Sequence, residues 1–215
     1  MATDADGADG HRSALLIDWG GVLTTNLFTS FRDYCVQAGI DPKLLVGRFR
    51  EDKEARKLLI DLETGKLDER GFEQAFAPML GTEPDGLIDG LFAGVKPDEP
   101  MVEAVRRAKA AGIRTGLISN SWGVHRYPRE FFDSLFDSVV ISGEEGMRKP
   151  DVRMYELGVE RTGVDASACV YVDDLPFNLE PAKEMGMAVV HHTSAETTIP
   201  ELERVLGAPL QGTSG

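Results

Sequence analysis

The sequence predicts an α/β protein: a doubly wound parallel sheet with a small helical domain inserted near its start. Three observations lead there. Beyond about residue 98, helical patterns alternate with short apolar runs of strand length. The helices between those runs stop at glycines. Residues 26–93, by contrast, carry helical periodicity and no convincing strand.

In chain order, "ALLID" (14–18) is the first strand, and Gly20 and Gly21 behind it let the chain turn sharply. "FTSFRDYCVQAG", "PKLLVGRFR", "KEARKLLIDLETG", "DERGFEQAFAPML" and "PDGLIDGLF" then follow as helices. That block is too long for a plain crossover. It divides the chain into a core domain at 12–25 and 94–208 and a helical cap at 26–93. "GVKPDEP" (94–100) is the return hinge, where proline and glycine interrupt regular structure. The core continues with helix "MVEAVRRAKAAG" and strand "IRTGLIS", helix "REFFDSLF" and strand "DSVVIS", helix "DVRMYELGVERTG" and strand "ACVYV". Helix "NLEPAKEMG", strand "MAVVHH" and helix "IPELERVLG" close it. Five such strands, fed by crossover helices, form a sheet covered on both faces. Residues 1–11 and 209–215 are expected to be disordered tails. The opening "MATDADGADGHRS" is acidic and has no apolar segment, unlike a signal peptide or anchor.

Composition narrows the function. A formal charge of -13 repels nucleic-acid backbones and anionic membranes on average, leaving room only for a local site for a small anion. No apolar run approaches membrane-spanning length. The two cysteines, Cys35 and Cys169, lack metal-ligand spacing and are expected as reduced core thiols of a cytoplasmic protein.

In an open parallel sheet, ligands sit beyond the carboxyl ends of the strands. There the sequence places Asp18 after the first strand, Ser119-Asn120-Ser121 after the second and Asp173-Asp174 after the fourth. Lys149 stands just before a helix that starts near Pro150. Singly, each has an ordinary structural role; in this order at successive strand ends they fit one chemistry. A carboxylate can attack phosphorus and hold the phosphoryl group covalently. Three acids together repel one another unless a cation sits among them, and hard oxygen ligands suit Mg²⁺. The Ser119 hydroxyl donates to phosphate oxygens, and Lys149 offsets the charge of the acids and of the transition state.

These residues resemble the motifs of the haloacid dehalogenase superfamily of hydrolases, over about residues 12–208. "LLIDWGGVLTT" is similar to the first motif, which implies Asp18 as nucleophile and metal ligand. "TGLISNSW" is similar to the second, with Ser119 and Asn120 on phosphate. "GEEGMRKPDVRMY" is similar to the third, with Lys149, and "VYVDDLPFNLEPAKEMGM" to the fourth, with Asp174 on the metal and Asp173 behind it. The later motifs are especially similar to the N-terminal phosphatase domain of soluble epoxide hydrolase, and the insertion falls where that subfamily carries its cap. The resemblance implies a Mg²⁺-dependent phosphatase of a small phosphorylated metabolite, working through an aspartyl-phosphate.

Gly20 departs from the pattern. Family phosphatases carry there a second Asp that protonates the leaving alcohol and activates water, help worth ~10²–10⁴-fold. In the family this position also binds the metal through its backbone carbonyl, which glycine retains. His125, Thr24 and Thr25 are the nearby polar candidates; His191 and His192 read as a strand terminus, Trp19 and Trp122 as packing. Two alternatives stay open. One is a phosphonate hydrolase with a Schiff-base lysine in the cap, from Lys43, Lys53, Lys57 and Lys66. The other is a pseudo-phosphatase that binds a phosphorylated ligand without turnover. Dehalogenation needs no metal and fits poorly with three adjacent acids. Oligomeric state is left open.

Overall fold

The computed structural model describes residues 11–212. Its centre is a five-stranded parallel sheet in the order β3-β2-β1-β4-β5, built from β1 (Ala14–Ile17), β2 (Arg114–Ser119), β3 (Ser138–Ile141), β4 (Cys169–Asp173) and β5 (Ala188–His191). All four lateral pairings are parallel, so each strand needs a crossover. These are α6 (Glu99–Ala110) into β2, α7 (Phe132–Leu135) into β3, α8 (Ser142–Glu145) and α9 (Val152–Thr162) into β4, and α10 (Pro176–Glu184) into β5. Helix α11 (Ala195–Leu206) follows the last strand.

Side chains alternate across the sheet and divide the core in two. Leu15, Ile17, Leu117, Val170 and Val172 pack with Met101, Val105, Phe132 and Leu202 on one face. Leu16, Ile118, Val140 and Tyr171 pack with Met154, Tyr155 and Leu179 on the other. Strands buried on both faces explain why the sequence shows continuous apolar runs.

Five helices lie between β1 and α6: α1 (Leu27–Gln37), α2 (Pro42–Glu51), α3 (Lys53–Glu63), α4 (Glu69–Leu80) and α5 (Leu87–Phe92). Their starts are cut by side-chain caps, Asn26 for α1, Asp52 for α3 and Asp68 for α4. They enclose a hydrophobic cluster of their own, including Phe31, Leu62, Phe72, Phe76 and Leu91, and Trp122 from the segment after β2 packs against it. The Trp122 ring lies 5.3–5.9 Å from those of Phe31, Phe49, Phe72 and Phe92. The chain enters and leaves this insertion along paired segments. Thr24 bridges Pro97, Thr25 N–H donates to the Lys96 carbonyl (2.8 Å), and Asp98 N–H donates to the Leu23 carbonyl (3.0 Å).

One expectation fails at the C-terminus. The supposed tail from residue 209 is ordered as far as it is described: Leu210 is 1% exposed within the core, and Glu203 accepts from the backbone N–H of Leu210 and Gln211. A single apolar residue after "GAP" gives no periodic signal, so its burial was invisible in the sequence. Of the expected tails, residues 1–10 and 213–215 lie outside the described residues. Leu210→Ala is expected to destabilise the protein by about 2–5 kcal/mol, measured by urea denaturation; a loss within error of zero would show that the contact is dispensable.

Candidate active site

The register of the sheet assembles the site. One step beyond the Ile17–Val172 pair stand Asp18, at the end of β1, and Asp173, at the end of β4. Ser119 closes β2, the other neighbour of β1. The strand order reverses direction at β1, which is where such sheets open a crevice.

Between the two acids lies the ammonium of Lys149, 1% exposed. Its Nζ is 2.8 Å from Asp18 Oδ1, 2.7 Å from Asp173 Oδ2 and 3.0 Å from the Tyr171 hydroxyl. Asp173, fully buried, is saturated: Oδ2 also accepts from Tyr171 (2.6 Å) and Asn178 (3.1 Å), and Oδ1 accepts from Leu175 N–H (2.9 Å) and Asn178 (3.0 Å). Asp18 differs. Its Oδ1 accepts from Trp19 N–H (2.7 Å), and among the described residues nothing donates to Oδ2. That oxygen is left free to meet a ligand.

Ser119 accepts a hydrogen bond from the buried Tyr127 hydroxyl (2.9 Å), which leaves its own proton for an incoming acceptor. Asn120 is in place, but its side chain is otherwise engaged. Its Nδ2 donates to the Lys149 carbonyl (3.1 Å) and its Oδ1 accepts from Lys149 N–H (2.8 Å). The amide clasps the loop that carries the lysine.

Asp174 completes a group in which Asp18, Asp173 and Asp174 each offer one oxygen within 4.8 Å of the others. Burial pushes Asp18 up to about 6 against the pull of Lys149, and burial together with Asp18 and Asp173 pushes Asp174 up to about 7. Asp173 goes the other way: burial would raise it, but Lys149 and its hydrogen bonds hold it below the ordinary carboxylate value. The two raised acids fit a hard divalent cation, which favours their ionised forms. No hydrogen bond reaches the Gly20 carbonyl among the described residues. Gly21 makes the approach possible: at φ +78° it has no side chain, and a Cβ there would lie 2.6 Å from Asp174 Oδ2.

A family model described as haloacid dehalogenase-like hydrolase matches residues 13–186. The chain belongs to that family, and it is a hydrolase. Over 116 residues it is 30% identical to the sesquiterpene phosphatase astK of Aspergillus oryzae, covering 53% of this chain and 59% of the relative. Over 131 residues it is 28% identical to the bifunctional epoxide hydrolase 2 of Sus scrofa, covering 58% and 24%. The matched stretch thus spans less than two thirds of either relative's length. The fold is similar to that of a haloacid-dehalogenase-family enzyme from Bacteroides thetaiotaomicron solved with magnesium and inorganic phosphate. The TM-score is 0.63 at 20% identity, covering 86% of this chain and 95% of that one.

Two cavities flank the acids of this hydrolase, with opposite charge. One, of about 800 Å³, opens beside Gly21, Asp174 and His191, and is lined by the acids Asp98, Glu99 and Glu196. The other, of about 320 Å³, opens beside Gly20, Ser119 and Asn120, between the insertion and the sheet, and has Lys96 and Arg126 in its lining. The acids of the first favour a cation there; in the second, Arg126 is paired with Glu69 and Asp89, and Lys96 pairs with no carboxylate among the described residues.

The side chains of the remaining candidates have other partners. His125 is mostly exposed, with Nε2 3.2 Å from Glu69. His191 Nε2 contacts the Asp174 carbonyl (3.1 Å), and His192 is buried against Thr198 (3.0 Å). Thr24 accepts from Gly21 N–H and shapes the turn (3.0 Å); Thr25 ties the entry to the return segment. Trp19 packs on Tyr127 and Phe132. Lys43, Lys53, Lys57 and Lys66 are exposed, and none lines either cavity beside the acids. Cys35 and Cys169 are free, buried thiols.

The sequence did not single out Tyr171 and Asn178, which hold the charged groups, or Tyr127, which holds Ser119. Tyr171 had a signal: two residues before Asp173 in a strand, it shares that residue's face. A second pair was also missed. Glu63, at the end of α3, is buried, and its Oε2 lies 2.6 Å from Arg148 Nε, beside the site lysine. Burial pushes Glu63 up to about 7, against the pull of Arg148 and Lys149.

Lys149→Met would leave Asp18 and Asp173 facing each other without a counter-charge, at a cost of ~3–5 kcal/mol near neutral pH. Asp173, held low by Lys149 in the native protein, contributes stability that is lost only as pH falls below the ordinary carboxylate range. The variant lacks that contribution, and its acids escape repulsion by taking up protons. The deficit is therefore expected to be larger at about pH 8 than at about pH 5. Urea melts of both proteins at the two pH values check this; equal deficits would contradict the charge assignment.

Proposed function

We propose that this hydrolase is a Mg²⁺-dependent phosphatase that moves the phosphoryl group of a small phosphomonoester first to Asp18 and then to water. One observation carries the proposal: the buried Lys149 ammonium fixes one oxygen of Asp18 and leaves the other open. The phosphatase named among the relatives supports it. Residues 26–93 act as a cap, closing the apolar side of the cavity over the substrate and excluding water.

The chain's own residues account for most of the chemistry. Ser119 Oγ donates to a phosphoryl oxygen, held in orientation by Tyr127. Lys149 keeps Asp18 ionised and faces the charge that develops on the phosphoryl oxygens. Asp18 Oδ2 attacks phosphorus, forming an aspartyl-phosphate, and water later releases phosphate and restores the carboxylate. Asp18, Asp174 and the Gly20 carbonyl would hold Mg²⁺, which when bound neutralises charge between the nucleophile and the phosphoryl oxygens. Asp173 serves Lys149, and Asn120 holds that lysine's loop.

With Mg²⁺, 4-nitrophenyl phosphate is expected to be hydrolysed, and Asp18→Asn to lower the rate by roughly 10⁴-fold or more. Chelation of the metal abolishes turnover, and Asp174→Asn raises the Mg²⁺ concentration needed for half-maximal rate. Absence of metal-dependent phosphate release from a broad panel of phosphomonoesters would sink the proposal.

A further inference from the structure

The cavity beside Gly20 constrains what can leave. None of the residues lining it is Asp, Glu or His. Its walls are Trp19, Leu27, Phe92, Val95, Trp122 and Tyr127, an apolar and largely aromatic surface of a size that takes one small molecule. The place of a missing acid at position 20 is itself filled. A Cβ on Gly20 would lie 2.8 Å from Leu27 Cδ1, so a half-buried methyl of α1 stands where an acid side chain would start. The Gly20 backbone is not in the left-handed region, so the obstacle is Leu27 and not φ.

The groups around the cavity do not replace that acid. Tyr127 already donates its proton to Ser119, and burial raises it far above the ordinary phenol value. Glu69, which packs against Gly123, is held by Arg126 (2.5 Å) and His125 (3.2 Å). Arg126 is in turn held by Glu69 and Asp89 (2.7 Å). Lys96 pairs with no carboxylate among the described residues, so it is the cation available to a departing anion.

We propose that the substrate is a phosphate carried on an already acidic oxygen, that of a phenol or a carboxylic acid, with an apolar body that fills this cavity. The proposal rests on the phosphatase reading above and names its substrate class. Asp18 Oδ2 forms the bond to phosphorus, and the bond from phosphorus to the leaving oxygen breaks. The electron pair stays on that oxygen, which departs as a phenolate or carboxylate without receiving a proton. Water then attacks the aspartyl-phosphate, the Asp18–phosphorus bond breaks, and both water protons leave on the phosphate, one having moved to a phosphoryl oxygen. Neither step needs a protein acid or base. A phenol ionises near ~10 and a carboxylic acid lower still, whereas an alkyl alcohol leaving unprotonated is far more basic.

The test measures kcat/KM with Mg²⁺ for three arms matched in size: ring-substituted phenyl phosphates, benzoyl phosphate, and alkyl phosphates such as benzyl phosphate. Rates are expected to rise steeply as the leaving oxygen becomes more acidic, with the alkyl arm ~10²–10⁴-fold slower than the best aryl substrate. If benzoyl phosphate outpaces aryl phosphates of equal leaving-group acidity, the acyl source is favoured; the reverse favours the aryl source. With the most acidic phenols, a burst of one phenolate per chain is expected, because release of phosphate from Asp18 is also unassisted. Gly20→Asp with Leu27→Ala, which restores an acid and clears its space, narrows the gap between the aryl and alkyl arms. Alkyl and aryl phosphates hydrolysed within tenfold of each other would overturn this inference alone. No hydrolysis in any arm, with no phosphoryl group on Asp18, would overturn the phosphatase proposal and this inference with it.

Discussion

A charge buried where water cannot reach it governs the architecture of this hydrolase. The Lys149 ammonium sits inside the protein, and an ion in that position is tolerated only when its partners are fixed. Asp18, Asp173 and Tyr171 meet it, and Leu175 and Asn178 then fix Asp173. Asn120 grips the backbone of the lysine from the end of β2. Segments far apart in sequence are thus locked to one point, and the ends of β1, β2 and β4 have little freedom to drift. The same network leaves one carboxylate oxygen of Asp18 without a donor. The arrangement that stabilises the ion also leaves that oxygen accessible to a ligand.

Around that point the two sides of the site differ in lining. The cavity at Asp174 is lined by acids; the cavity at Gly20 is mostly apolar and aromatic, with Lys96 and Arg126. The insertion supplies Leu27 and Phe92 to the second cavity, and its attachment to the sheet is mixed in character. Trp122 plugs into its aromatic cluster, Arg126 reaches Glu69 and Asp89, and Arg148 meets Glu63. Two of the three attachments come from the segment directly after the carboxyl end of β2. Movement of the insertion therefore bears on Ser119 through only a few residues of chain.

What could be read from the sequence was whatever periodicity or strand ends determine. The five strands were visible as apolar runs, the inserted helices as helical stretches, Asp18, Ser119, Asp173 and Asp174 as polar residues where those runs stop, and Lys149 as the residue before a helix. Gly20 was equally plain as a departure. Contacts set by packing between distant segments were not legible. Leu27 gives no sign in the sequence that it fills the space beside Gly20, and Glu63 resembles any acid on an amphipathic helix. That the side-chain amide of Asn120, which the family resemblance puts on phosphate, also faces a loop 29 residues later had no sign in the sequence. Leu210 lay beyond the last periodic helix and carried no pattern.

The plug at Trp122 has an optical consequence. The chain holds two tryptophans. Trp19 packs on Tyr127 and Phe132 against the sheet, while Trp122 lies in a nest of phenylalanines from the insertion. Any separation of the insertion from the sheet must withdraw one indole from that nest into a more polar medium while leaving the other in place. The protein therefore carries its own emission probe of opening and, in the same chain, an internal reference.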